Sequence, residues 1–240
     1  MGLTQEQFDR YRQQISLPGM SAEAQARIIN GKVLVLGMGA WGCGVAQYLA
    51  EVGIGNISCT DENDSTPNIW NQVFAPRWAK VGIEATARQW RFNAAEAEGL
   101  IASADAVVDV LDNWQHKLVT SDLCMQLTKP LIHAGGSGFR FQVYNMLPGK
   151  SACLRCVFPE VGMDDVPLTT TDVSSMAPVV GMIAALQALE AIKVVADIGA
   201  TQGNELWKFD WLSGELETIR GLDPRFDCPD CGKHLRSNER

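Results

Sequence analysis

Lys32-Val33-Leu34-Val35-Leu36-Gly37-Met38-Gly39-Ala40-Trp41-Gly42 is the stretch on which the fold turns. Lys32 to Leu36 reads as a short apolar strand of the kind buried in a parallel sheet. A Gly37-x-Gly39-x-x-Gly42 turn follows at once, and Cys43 to Glu51 reads as a helix ended by Gly53. Strand, glycine turn and helix in this order set backbone N–H groups and a helix N-terminus against a phosphate. That nominates Gly37, Gly39, Ala40, Trp41 and Gly42 as a nucleotide-binding loop. Asn56 to Thr60 gives a second strand closed by Asp61, where an acid can hydrogen-bond ribose hydroxyls. Taken alone, the loop fits a dinucleotide-dependent oxidoreductase equally well.

Working outward, the pattern predicts a helix over Ala85 to Phe92, a strand over Ala106 to Val110, a helix over Gln115 to Leu127 and a strand over Leu131 to Ala134. Phe141 to Met146 alternates as an antiparallel strand does, and Leu206 to Trp211 with Glu215 to Ile219 form a hairpin turning at Ser213-Gly214. Strand and helix alternate through the first half. The expected architecture is therefore an α/β, doubly wound, mostly parallel sheet with an antiparallel C-terminal extension. Thr4 to Ile29 reads as a helical arm, broken at Pro18-Gly19 and restarted at Ser21. Pro178 to Ala196 is the most apolar stretch, but Gln187, Glu190 and Lys193 interrupt it, so it reads as a buried helix rather than a membrane span. Val161 to Met176 is polar and long for a connection, and loops of that length are usually functional or mobile.

Asp109-Val110-Leu111-Asp112-Asn113 ends a later strand at the C-terminal edge of the sheet, beside the crevice where strand order reverses. An Asp at position 112 can hold Mg²⁺ bridging phosphates, which hydride transfer does not need and ATP chemistry does. The competing role for Asp112 is the N-cap of the helix that follows.

Cys153-Leu154-Arg155-Cys156 and Cys228-Pro229-Asp230-Cys231 are two CxxC knuckles. Together Cys153, Cys156, Cys228 and Cys231 make a closed tetrahedral sulfur site suited to structural zinc; a disulfide or redox pair is the alternative. With every position taken by thiolate the ion would have no open place for water, and it would pin the tail to the middle of the chain. Cys43, Cys59 and Cys124 sit in apolar runs and read as small buried hydrophobes. A formal charge of −8 without Lys/Arg clusters argues against a nucleic-acid surface. The N-terminus lacks the basic start and apolar run of a signal peptide, and free thiols suit a reducing cytoplasm.

Taken in order, these motifs resemble the ubiquitin-activating-enzyme-like family, which includes the bacterial ThiF/MoeB/HesA adenylyltransferases. The likeness is carried by Arg10-Tyr11 to Leu17-Pro18, the glycine loop with Asp61, and Asp109 to Asn113. It continues through Lys129-Pro130-Leu131-Ile132 to Ser137-Gly138-Phe139, Pro148-Gly149 to Glu160, Ala177-Pro178-Val179-Val180-Gly181 and Gln187 to Lys193. The resemblance implies one domain over 1–240: a helical arm (1–30), a nucleotide-binding half (31–135) and a partner-binding half (136–240). It implies Mg·ATP-dependent adenylation of the C-terminal glycine carboxylate of a small ubiquitin-like or sulfur-carrier protein, by a dimer whose arm arginine crosses into the partner's site.

The chain departs from the family pattern at its cations. The crossing arginine falls on Gln13, the phosphate-binding arginine on Asn71, and the segment Val81-Gly82-Ile83-Glu84-Ala85 is shortened and lacks the family lysine. No cysteine lies between Cys156 and Cys228, so no thioester is expected. Arg12, Arg77 and Lys80 are the candidate replacements, with ordinary surface charge as the competing account. The nucleotide set is then Gly37, Gly39, Ala40, Trp41, Gly42, Asp61, Asn71, Asp112 and Asn113. If the cations are not replaced, the chain is a nucleotide-binding scaffold or the inactive half of a heterodimer. Trp70 and Trp78 belong either to a subunit interface or to the core.

Overall fold

In the computed structural model, which describes residues 2–63, 65–161, 176–201 and 203–231, the apolar strand β1 (Lys32–Leu36) lies inside a single sheet. It pairs in parallel with β2 (Asn56–Asp61) on one side and β4 (Ala106–Asp109) on the other. β3 (Glu84–Gln89) adds to β2 as the outer edge, and β5 (Leu131–Ser137) adds to β4, both in parallel. β6 (Arg140–Met146), β7 (Glu205–Asp210) and β8 (Glu215–Arg220) continue antiparallel from β5. The order β3-β2-β1-β4-β5-β6-β7-β8 reverses direction of growth between β1 and β4, which opens a crevice above their C-terminal ends.

Strand alternation divides the core. Val33 and Val35 of β1, with Ile57, Cys59, Val108 and Ile132, face α2 (Ala22–Asn30), α3 (Gly39–Val52) and α9 (Ala177–Ala196). Leu34 and Leu36, with Val107 and Leu131, face α6 (Ala94–Ala102), α7 (Trp114–Gln126) and the cysteine knuckles, the first of which carries the short helix α8 (Leu154–Val157). The arm helix α1 (Gln5–Ile15) is closed by a capping box between Thr4 and Gln7, and Ser21 caps α2.

α9 is long and apolar enough by composition to cross a membrane, yet its polar residues are spent inside this fold. Gln187 Nε2 donates to the carbonyls of Asp109 (3.0 Å) and Ile132 (3.1 Å), and its Oε1 accepts from Trp41 Nε1 at 2.7 Å. Glu190, 1% exposed, accepts from Asn145 and Lys193. The interrupting residues thus tie the helix to strand ends.

The expected helix over Ala85 to Phe92 is corrected: Glu84–Gln89 is the edge strand β3. Ala85 and Ala87 are buried while Glu84, Thr86 and Arg88 are exposed, a period of two that alanine's helix propensity masks. The strand starts just after Gly82, so no helix intervenes between that turn and the sheet. Ahead of it, α4 (Ser65–Ile69), a π-helical turn (Trp70–Phe74) and α5 (Ala75–Ala79) fold back over β3. Trp70 (1% exposed) and Trp78 (6%) belong to the core of this chain, which decides against an interface role. The connection Val161 to Met176 lies, but for its two end residues, outside the described residues.

Candidate nucleotide site and metal centre

The glycines of the loop are required by space as well as by conformation. Gly37 has φ +90°, and a Cβ there would stand 2.6 Å from the Val110 carbonyl oxygen; at Gly42 a Cβ would stand 2.1 Å from the Gly37 oxygen. Both contacts are with backbone, so no side chain can yield. Asp61 fixes the loop from the next strand: Oδ2 accepts from the N–H groups of Met38 (2.7 Å) and Gly39 (3.2 Å), and Oδ1 from Asn63 N–H at 2.8 Å.

Above the loop lies a crevice of about 550 Å³, a volume suited to a nucleotide-sized ligand. The structure brings Gly37, Gly39, Ala40, Trp41, Asp61 and Asp112 of the expected set to its lining. Gly42 sits beneath the loop as a packing residue. Asn113, not Asp112, caps α7, accepting His116 N–H at 3.2 Å, and this leaves Asp112 at the crevice wall. Glu62 adds a further acid. Part of the lining is aromatic: beside Glu62 the rings of Phe92 and His116 stack at 4.2 Å with 7° between their planes, with Trp90 beside Phe92 at 5.3 Å.

Asn71 is brought elsewhere. Its amide donates to the Ala87 carbonyl (2.6 Å) and accepts Ala87 N–H (3.0 Å), covering the open edge of β3 as a neighbouring strand would. The candidate cations also stand outside the crevice lining. Arg77 pairs with Glu51 at 3.6 Å and lies over the Trp78 ring at 5.0 Å. Lys80 borders a separate cavity of about 260 Å³ with Arg10 and Tyr11. Arg12 is exposed on α1.

The crevice floor holds a group that the residue patterns did not announce. Asp109, fully buried, receives Lys117 Nζ at 3.1 Å on each carboxylate oxygen, His133 Nδ1 at 2.7 Å and Leu111 N–H at 2.9 Å. Burial alone pushes the Asp109 carboxyl up, but Lys117 and the His133 hydrogen bond outweigh it and hold the group below the usual carboxylate range. Burial pushes His133 below the ordinary imidazole range against the pull of Asp109, so the ring is neutral and Nδ1–H is the donor. The set is therefore carboxylate, ammonium and neutral imidazole. Lys117 signals itself only as a charged residue on the inner face of α7, and His133 only as a lone histidine in an apolar strand, both of which read as core.

A pH dependence follows from His133. Its folded pKa is depressed, so as pH falls from about 6.5 toward that value the unfolded chain takes up a proton that the folded chain refuses. Stability should decline with falling pH in this window, by at most about 1.4 kcal/mol per pH unit. His133→Asn should flatten that slope; thermal melts of both proteins between pH 7 and 5 check it, and parallel curves would refute it.

The four knuckle thiols converge on the far side of the sheet. Their sulfurs lie within 4.8 Å of one another, with Cys153–Cys228 at 3.5 Å, Cys156–Cys231 at 3.3 Å and Cys153–Cys156 at 3.8 Å. Four sulfurs about 2.3 Å from one ion would be spaced by about 3.8 Å in a tetrahedron, so the donor set fits zinc. Cys43, Cys59 and Cys124 stand apart from this cluster; Cys59 and Cys124 are buried in the core as expected, whereas Cys43 is half-buried and packs against it. The surroundings hold the knuckles in place. Arg225 N–H donates to Cys156 Sγ at 3.3 Å, Leu154 N–H to Ser121 Oγ at 3.1 Å, and Arg155 grips Asp122 of α7 at 2.6 and 2.8 Å.

The ThiF family profile matches residues 11–76 and 75–230. The chain belongs to the ThiF family. Among its curated relatives, the sulfur carrier protein ThiS adenylyltransferase of Escherichia coli is 32% identical over 94% of this chain and 95% of its own length. Adenylyltransferase and sulfurtransferase MOCS3 of Bos taurus is 31% identical over 96% of this chain. The chain spans about half the length, 54%, of that relative. Among solved structures, E. coli MccB with ATP superposes with a TM-score of 0.71 at 20% identity, covering 88% of this chain and 69% of that one. MccB in complex with N-formylated MccA superposes at 0.76, with 20% identity, 96% of this chain and 77% of that one. These superpositions show a shared fold over 88% and 96% of this chain.

Proposed function

We propose that this ThiF-family chain binds Mg·ATP in the crevice and adenylates the C-terminal carboxylate of a small ubiquitin-like or sulfur-carrier protein. The observation that carries the reading is the convergence of the glycine loop, Asp61 and Asp112 on one cavity at the strand-order reversal. In this reading Gly37 to Trp41 cradle phosphates through backbone N–H groups at the start of α3. Asp61 orders the loop and offers carboxylate toward the ribose. Asp112 would hold Mg²⁺, which when bound neutralises phosphate charge. A carboxylate oxygen of the partner attacks the α-phosphorus, the α–β bridging bond breaks, and pyrophosphate leaves. The 32% identity to a ThiS adenylyltransferase over nearly the full length of both supports this class of reaction. The half from 136 onward would receive the partner's tail, and a second subunit, identical or related, would complete the site.

A second reading is favoured by the positions of Asn71, Arg77 and Lys80, each engaged or placed outside the crevice lining. Loss of one transition-state arginine costs about a thousandfold or more in such reactions. A chain short of these cations would bind nucleotide as a scaffold, or as the inactive half of a heterodimer.

ATP–pyrophosphate exchange, measured with and without small proteins ending in Gly-Gly, separates the two. Exchange stimulated by such a partner is the expected result. Nucleotide binding without exchange, under every pairing tried, establishes the second reading in place of the first. No affinity for ATP or AMP removes both.

A further inference from the structure

The crevice is bordered by the acids Asp61, Glu62 and Asp112, and among the described residues that line it Lys117 is the only lysine or arginine. The sequence explains this poverty: there is no Lys or Arg between Lys32 and Arg77, nor between Arg155 and Lys193. The glycine loop, β2 and the start of α9 therefore bring no positive side chain. Among the described residues of the lining, a nucleotide phosphate entering this space meets one ammonium, with a side chain 5% exposed.

The geometry of that ammonium gives it a direction. Lys117 Nζ is equidistant, at 3.1 Å, from the two oxygens of Asp109. Carboxylate oxygens are about 2.2 Å apart and at that range subtend roughly 40° at the nitrogen, whereas ammonium N–H bonds diverge by about 109°, so the two oxygens share a single proton. A second proton goes to the Ala134 carbonyl at 3.0 Å. Among the described residues no oxygen or nitrogen takes the third, which has before it only the face of the Trp114 ring, its centroid 6.0 Å away, and Lys117 borders the crevice.

The setting keeps that proton available. His133 Nδ1–H and Leu111 N–H also satisfy Asp109, so the carboxylate does not depend on Lys117 for all of its bonds. Two further titratable groups in the same core stay uncharged. Tyr144 across the β5–β6 pair holds its hydroxyl proton and donates it to Ala152 at 2.9 Å; burial keeps the Cys124 thiol neutral. His133 Nε2 is buried without a partner, 3.7 Å from where a Cβ on the crevice residue Gly135 would stand.

We propose that Lys117, held on the buried Asp109–His133 pair, donates its third ammonium N–H to a phosphate oxygen of the bound nucleotide. The assignment rests on the nucleotide reading of the crevice and names the cation within the protomer that this reading lacks. Asp109 and His133 are positioning residues that act through Lys117.

The test compares affinities for Mg·ATP and for uncharged adenosine by calorimetry, because a purely structural role would move both together. Lys117→Met made together with Asp109→Asn removes the buried charges as a pair and leaves an acceptor for His133. This double variant should bind Mg·ATP about tenfold or more weakly, the worth of a hydrogen bond to a charged group, and bind adenosine as before. Lys117→Arg should recover part of the ATP preference. An unchanged ratio of the two affinities in the double variant overturns the assignment. If the unaltered protein binds neither ligand, the nucleotide reading itself fails. A crystal of the unaltered protein with a non-hydrolysable ATP analogue is the independent check: Lys117 Nζ should lie about 2.8 Å from a phosphate oxygen, and a position beyond hydrogen-bond reach overturns the proposal.

Discussion

Cys228→Ser is expected to abolish zinc binding at the four-thiol cluster and lower stability by about 4 kcal/mol, the order of chain entropy that a cross-link closing a loop of this length removes. For a chain of this size that corresponds to a fall in Tm of roughly 8–16 °C. The reason is the span between the knuckles. Cys153 and Cys156 follow β6, whereas Cys228 and Cys231 follow β8, so one ion held by all four would tie the end of the sheet to the face that carries α7. Cys153, Cys228 and Cys231 are buried within the second core beside Leu154, Phe158 and Leu206, and without the ion their thiols are left packed sulfur to sulfur. Metal analysis of the purified protein should give about one zinc per chain, as a closed four-thiolate site requires. Chelation of the unaltered protein should reproduce the loss seen in the variant. Metal-free protein that melts at the same temperature as the metal-loaded form would remove the clamp from this account.

Asp109→Ala is the second large effect, at about 3–5 kcal/mol, because it strands a buried charge. Lys117 would lose the carboxylate that neutralises it while remaining only 4% exposed, and His133 Nδ1–H and Leu111 N–H would lose their acceptor. The pair Asp109→Asn with Lys117→Met should cost much less, since replacing both charges together is often neutral. Urea unfolding checks the contrast: the single variant should show a lower midpoint at similar slope, and the double variant a midpoint near that of the parent. Equal losses in the two would mean that the buried charges contribute little and that packing alone is being measured.

The candidate site divides along the same line of reach. Gly37, Gly39 and Asp61 were legible because a glycine turn between a strand and a helix demands particular residues at particular places, and neighbours in sequence are neighbours in the loop. The knuckles were legible because two thiolates on one tight turn lie close whatever the rest of the chain does. Lys117 and His133 were not, since each acquires its meaning from Asp109, which strand pairing and α7 bring to them across 8 and 24 positions. The aromatic wall of Phe92 and His116 was hidden for the same reason.

Asn71 and β3 show the limit most clearly. Its place in the family motif puts Asn71 in the nucleotide-binding set, but its amide completes the edge of a strand whose alanines suggest a helix. Local sequence determined the strands β1 and β2, the glycine loop, the polar-studded core helix α9, the hairpin β7–β8 and the sulfur cluster, because short-range periodicity and special backbone requirements are written within a few residues. Only the tertiary structure decided that Glu84 to Gln89 is a strand, that Trp70 and Trp78 are core, and that one lysine faces an acid-lined crevice. Those outcomes depend on which surfaces meet, and burial and charge pairing between distant segments outweigh the preferences of any segment alone.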